Sequence, residues 1–188
     1  ILALITELKK ICNFDPITGE SAKLETVESI VQEKFESGEK VIIFSQFVES
    51  LKEIQKYLSY LDCEIYHGSL NESEKDSVLD NFKNSKEPKL LLMSLKAGGV
   101  GLNLPEASTV ILFDRWWNPA LEEQAIARAD RFGRENILHV FKFITTNSIE
   151  ERIDELLKEK ESLFEDIVEG AAEIVKKLSL KEIVNILE

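Results

Sequence analysis

Four short apolar runs set what this chain can fold into: Val41-Ile42-Ile43-Phe44, Leu90-Leu91-Leu92-Met93, Val110-Ile111-Leu112-Phe113 and, more mixed, Ile137 to Ile144. Each is near-continuous and aliphatic or β-branched, as strands buried on both faces of a parallel sheet are. Cys63 to His67 reads as a weaker fifth strand. Amphipathic helices fill the gaps. Ser21 is expected to cap a helix carrying Leu24, Val27, Ile30, Val31 and Phe35, stopped by Gly38. Leu51, Ile54, Tyr57, Leu58 and Leu61 mark the next. Asn71 with Glu74 resembles a capping box ahead of Val78, Leu79 and Phe82. Ser148-x-x-Glu151 reads as another, opening a long helix with Ile149, Ile153, Leu156, Leu157, Phe164 and Ile167 inward. Leu178 to Leu187 reads as a short terminal amphipathic helix. Strands alternating with helices predict an α/β fold, an open parallel sheet with right-handed crossovers. In such sheets ligands bind beyond the carboxyl ends of the strands.

A length of 188 residues suits one domain with a helical appendage, expected as a lobe over 1–146 and a helical extension over 147–188. No apolar run approaches the ~18–20 residues of a membrane span, and no signal peptide is visible. The abrupt start at Ile1 is expected of a fragment. Cys12 and Cys63 are far apart, which points to a reducing compartment and packing roles. His67 and His139 complete no zinc pattern, so no metal site is expected in the chain. The net charge of -12 argues against a broad nucleic-acid footprint. Any such contact has to be a small patch, with other parts of a longer protein supplying most cations.

The most specific local pattern is Trp116-Trp117-Asn118-Pro119 followed by Gln124, Arg128 and Arg131. Asn118 is a good N-cap, Pro119 suits the first helical position, and Gly133 reads as the residue past the helix end. On that helix Gln124, Arg128 and Arg131 fall at i, i+4 and i+7, on one face. Two planar guanidiniums one turn apart can grip a phosphate. The plainer reading is a solvated face with pairs such as Arg131–Glu135. Lys96-Ala97-Gly98-Gly99-Val100-Gly101 is a glycine-rich loop after a buried strand, able to bring backbone amides close to a phosphate or simply to turn tightly. Leu104 stands where a dinucleotide fingerprint needs its third glycine, and no Walker A loop is present. Trp116 and Trp117 form either a stacking surface or core. His67, before a capped helix, reads as a satisfied loop residue.

These stretches resemble motifs of superfamily 2 helicases in order and spacing. Lys40 to Phe47 resembles motif IV, Met93 to Leu104 motif V, and Gln124 to Gly133 motif VI. With Trp116-Trp117-Asn118-Pro119 they look most like the Swi/Snf-type double-stranded-DNA translocases, and the likeness runs from Leu4-Lys9-Ile11-Cys12-Asn13 to the helix after Ser148. The resemblance implies the C-terminal RecA-like lobe of an ATP-hydrolysing enzyme. Arg128 and Arg131 would be its catalytic arginine fingers, acting on ATP held with Mg2+ mainly by the other lobe. Gln124, Gly101, Leu102 and Asn103 would lie near the nucleotide. Ser45, Gln46, Ser69, Ser94, Lys96, Gly98 and Gly99 would meet duplex DNA, and Trp116, Trp117 and Asn118 would couple DNA to ATP. The helix from Ile149 to Val168 resembles the family's brace across the cleft. The implied partners are duplex DNA, the N-terminal lobe of the same enzyme and DNA-bound proteins, without a membrane. The setting would be a bacterial or archaeal cytoplasm, at the nucleoid, or a nucleus if eukaryotic. Departures from the family pattern stand at Lys96, Ala127, Asp130 and Arg134. An RNA helicase lobe and a non-catalytic module that keeps the fold are the alternatives.

Overall fold

Along each central strand successive side chains enter different halves of the core, and that alternation positions everything else. The computed structural model describes residues 2–94, 102–130 and 137–161. The elements run α1 (Leu2–Asn13), α2 (Leu24–Glu36), β1 (Lys40–Ser45), α3 (Val48–Tyr57), β2 (Cys63–Tyr66), α4 (Glu72–Asn84), β3 (Leu90–Ser94), β4 (Ala107–Leu112), α5 (Pro119–Ile126) and β5 (His139–Lys142). The strands form one sheet in the order β2-β3-β1-β4-β5, and every neighbouring pair is parallel. Ile42, Phe44, Leu91, Met93, Val110 and Leu112 meet Leu79 and Phe82 of α4 and Ala125 of α5 on one face. Val41, Ile43, Leu90, Leu92 and Ile111 meet Val27 and Val31 of α2 and Leu51 and Ile54 of α3 on the other. The register Ile43↔Leu92 and Ile43↔Ile111 keeps each set on its own side. Residues 41–44, 90–93 and 110–112 within the three central strands therefore read as continuous apolar runs. β5 is an edge strand with Val140 exposed, which explains its mixed sequence.

Two capping expectations hold. Asn71 and Glu74 form a reciprocal capping box on α4, and the Asn118 side chain accepts from Ala120 N–H with Pro119 in the first turn of α5. Others are corrected. Ser21 does not cap α2: its Oγ accepts from Lys23 N–H at 3.2 Å, and the N-cap residue is Lys23, whose side chain turns into the core. Tyr57 leaves the inner face of α3, is exposed, and donates its hydroxyl to Glu28 at 2.9 Å. The last described helix starts at 149. Ser148 Oγ accepts from Glu150 N–H, but Glu151 accepts from Asn147 N–H at 2.7 Å, one residue earlier than a capping box requires.

A compact unit spans Ile1–Ile153, so the first turn of this helix belongs to it, beyond the expected limit at 146. The reason is Glu150, fully buried, which accepts from Lys23 Nζ at 2.7 Å, Arg115 N–H at 3.2 Å and Thr145 N–H at 2.9 Å. The second unit, Asp154–Glu188, is described only to residue 161. Phe164, Ile167 and the Leu178–Leu187 segment lie outside the described residues.

Candidate functional site

The carboxyl ends of β1, β3 and β4 carry the candidate residues, and a buried polar network fixes that edge. Its hub is Asp114, 1% exposed, just past β4. Asn13 Nδ2 donates to it at 3.3 Å, Gln46 N–H at 3.2 Å, Gln46 Nε2 at 2.8 Å and Trp116 Nε1 at 2.9 Å. Ser45 Oγ makes a further bond to it. A carboxylate offers about four lone-pair sites, so Asp114 is saturated. The next two residues are held by two more acids. Arg115 N–H goes to Glu150, its guanidinium pairs with Glu122, and Trp116 N–H donates to Glu122 at 3.0 Å. Lys142 Nζ reaches Glu122 at 3.2 Å. Lys23 closes the network by donating to Asn13 Oδ1, to the Phe113 carbonyl and to Glu150. Lys9 is 2% exposed beside this network, and its ammonium has no hydrogen-bond partner among the described residues. Burial pushes its pKa below the ordinary lysine value, against the opposing fields of Asp114 and Glu150.

The arginine row departs from its expected form. α5 ends at Ile126, so Arg128 is not on a continuous helical face with Gln124. Ala127 N–H still bonds Glu123 O, but Arg128 N–H turns to Ala125 O and Ala129 N–H to Ile126 O, the tighter i−3 pattern. A tertiary bond takes over at this point, with Leu104 N–H donating to Arg128 O at 2.7 Å. The chain after the glycine-rich loop is thereby tied to the turn after α5. Leu104 and Ala129 are buried in one apolar cluster with Tyr66, against which Leu102 and Ile126 also pack. The Arg128 side chain is half-buried. Burial draws its pKa below the ordinary arginine value, partly offset by Tyr66, and it stays cationic near neutrality.

The remaining expected residues divide by exposure. Gln124, Trp117, Asn118 and Ser69 are exposed, and Gln46, Leu102 and Asn103 are half-buried. Ser94 is 3% exposed and stands in register with Ser45, which is fully buried. Ser45 is therefore corrected from an open DNA donor to a prop beneath Asp114. Trp116 is 5% exposed and packs inward, with its indole N–H on Asp114, whereas Trp117 is 45% exposed. His67 is satisfied as expected, its Nδ1 accepting from Ser69 N–H at 3.3 Å. Arg131, Lys96, Gly98, Gly99 and Gly101 lie outside the described residues. Sequence reading gave no individual role to Asp114, Arg115, Glu122, Glu150, Lys23 or Lys9. A charged side chain beside an apolar run was the one available hint, since such residues are buried only when paired or strained.

Residues 22–133 match the family described as the helicase conserved C-terminal domain. The putative ATP-dependent helicase/translocase YwqA of Bacillus subtilis is 37% identical over 183 residues, covering 90% of this chain and 20% of that protein. The chain spans about a fifth of the length of this and similar curated relatives. Among solved structures, the Sulfolobus solfataricus SWI2/SNF2 ATPase C-terminal domain is 36% identical, with a TM-score of 0.68, over 88% of this chain and 71% of that one. The SWI2/SNF2 ATPase core of the same organism, in complex with double-stranded DNA, is 34% identical, with a TM-score of 0.70, over 97% of this chain and 40% of that one. With its parallel sheet, the bond from Leu104 to the turn after α5, and these likenesses, the chain belongs to the helicase C-terminal domain family, in the SWI2/SNF2 group of ATPases.

Proposed function

We propose that this chain is the second motor lobe of an ATP-driven translocase that tracks along duplex DNA and displaces proteins bound to it. The observation that carries the reading is the 2.7 Å bond from Leu104 N–H to Arg128 O. It ties the chain just after the segment proposed to sense DNA to the turn that presents Arg128. Arg128, with Arg131, acts as an arginine finger against the charge that grows on a transferring phosphoryl group. Partial burial supports this role, because a guanidinium stripped of some of its water interacts more strongly with an anion. Gln124, Leu102, Asn103 and Gly101 border the nucleotide. Ser69, Lys96, Gly98 and Gly99 face the DNA backbone, and Trp117 with Asn118 sits between the two sites.

ATP with Mg2+, bound mainly by a first lobe, supplies the phosphoryl group that is transferred. The donors of this chain suit a polyphosphate. The buried carboxylates at this edge of the sheet, Asp114, Glu122 and Glu150, are taken up by N–H and cationic donors, so the metal is assigned to the first lobe. The chain alone, without a Walker A loop, should show essentially no ATP turnover.

The test is Arg128→Ala in the full-length protein. ATP affinity should stay within a few-fold while turnover falls by ~10²-fold or more, the lower side of finger effects. Near-normal DNA-stimulated turnover would remove the assignment. Stimulation by RNA rather than duplex DNA would move the protein to the RNA helicases.

A further inference from the structure

The amide of Gln46 is held in one orientation by its neighbours, and that orientation determines what it can bind. Its Nε2 donates to Asp114 Oδ1 at 2.8 Å and to the Arg115 carbonyl at 3.3 Å. Both partners are acceptors only, so a flipped amide would set oxygen against oxygen. Chemistry thus fixes a choice that geometry alone leaves open. Both amide hydrogens are used, and Oε1 remains as the free valence of a half-buried side chain at the carboxyl end of β1. No described residue donates to it.

We propose that Gln46 is a hydrogen-bond acceptor at the lobe surface, and that its partner is a cationic side chain of the preceding lobe rather than a DNA phosphate. The inference rests on the two-lobe reading above. A phosphate offers oxygen acceptors only, and meeting Oε1 it would lose its hydration for no bond in return. The buried carboxylate behind the amide polarises it and strengthens Oε1 as an acceptor. The exposed charge nearest to it in sequence is acidic. Glu49 is exposed in the first turn of α3, and the ammonium of Lys10, over the Phe47 ring, is already paired with Glu7 at 3.1 Å. Gln46 is then a positioning residue that helps seat one lobe on the other.

The experiment compares Gln46→Lys and Gln46→Met with wild type in the full-length protein, with Arg128→Ala alongside. A lysine ammonium still donates to Asp114 but presents no acceptor, whereas methionine offers neither. DNA-stimulated kcat is expected to fall about 10-fold in both, the scale of one charge-assisted hydrogen bond. Duplex affinity without nucleotide, KM for ATP and DNA-independent turnover should stay within about 3-fold. A 10-fold loss of duplex affinity in Gln46→Met would assign a DNA contact and overturn the proposal. A raised KM at unchanged kcat would assign a nucleotide hydroxyl or amine instead, with the same consequence. Joint loss of basal and stimulated turnover would leave only a structural role, and unchanged kinetics would leave no role. If Arg128→Ala keeps its turnover, the motor-lobe reading fails. If Arg128→Ala loses turnover and the Gln46 variants keep theirs, only this inference fails.

Discussion

The backbone N–H of Leu104 donates to the carbonyl of Arg128 at 2.7 Å, joining two segments 24 residues apart in sequence at the point where α5 stops being helical. In a longer helix that carbonyl would accept from the fourth residue onward. Here it is used across the fold, and the guanidinium is carried on a tight turn held at both ends. Arg128→Lys separates charge from shape. The ammonium keeps the charge but loses the planar fork. Turnover of the full-length protein should fall between the wild type and Arg128→Ala, about 10-fold below the former, in steady-state ATPase assays. Equal activity of the lysine and alanine variants would show that charge alone contributes nothing at this position.

Asp114→Asn replaces a saturated acceptor by a group that is half donor. Its new N–H faces either Gln46 Nε2 and Trp116 Nε1, which share Oδ1, or Asn13 Nδ2 on the other oxygen. Breaking a buried charged network of this kind costs about 3–5 kcal/mol. Urea unfolding of the lobe should show a loss in that range, together with a shift in the emission of Trp116. A loss under about 1 kcal/mol would mean that the network relaxes freely.

Lys9→Met should stabilise the protein, by on the order of 1 kcal/mol, because it removes a buried ammonium that has no hydrogen-bond partner among the described residues. The sign follows from linkage. A lysine whose folded pKa lies below its unfolded value holds fewer protons in the folded state as pH rises, so stability increases with pH through that interval. Unfolding midpoints of the wild type should therefore climb as pH rises towards the ordinary lysine pKa, and the methionine variant should lack this component. Parallel profiles for the two proteins would exclude it.

Asn71→Ala provides a contrast away from the site. It removes the reciprocal cap of α4 and should cost about 1 kcal/mol in thermal or urea unfolding. Turnover of the full-length protein should stay within 2-fold, roughly the scatter of a surface change. A catalytic defect would tie α4 to the chemistry.

Burial, with Asp62 and Glu64 nearby, pushes the Cys63 thiol up to about 12. Thiolate is the reactive form, so at pH 8 the folded protein should react with iodoacetamide at Cys63 at least ~10²-fold more slowly than in urea. Mapping the modified peptide over time checks this. Comparable rates in both conditions would place the thiol in water.

The arrangement of strands and helices was legible in the chain because it depends on local periodicity. Val41 to Phe44, Leu90 to Met93 and Val110 to Phe113 are apolar on both sides, and only a sheet covered on both faces satisfies such runs. The caps at Asn71 and Asn118 were equally local, since a short side chain reaches only its own next turn. Tertiary structure decided what depended on partners distant in sequence. Ser45 was turned inward by Asp114, 69 positions away, and Glu150 was drawn into the lobe by Lys23, 127 positions away. The carbonyl of Arg128, just past the end of α5, was taken up by Leu104, 24 positions earlier. Spacing along one helix or strand carries no information about a hydrogen bond to another element, and in the low-dielectric interior those bonds determine where each polar side chain points.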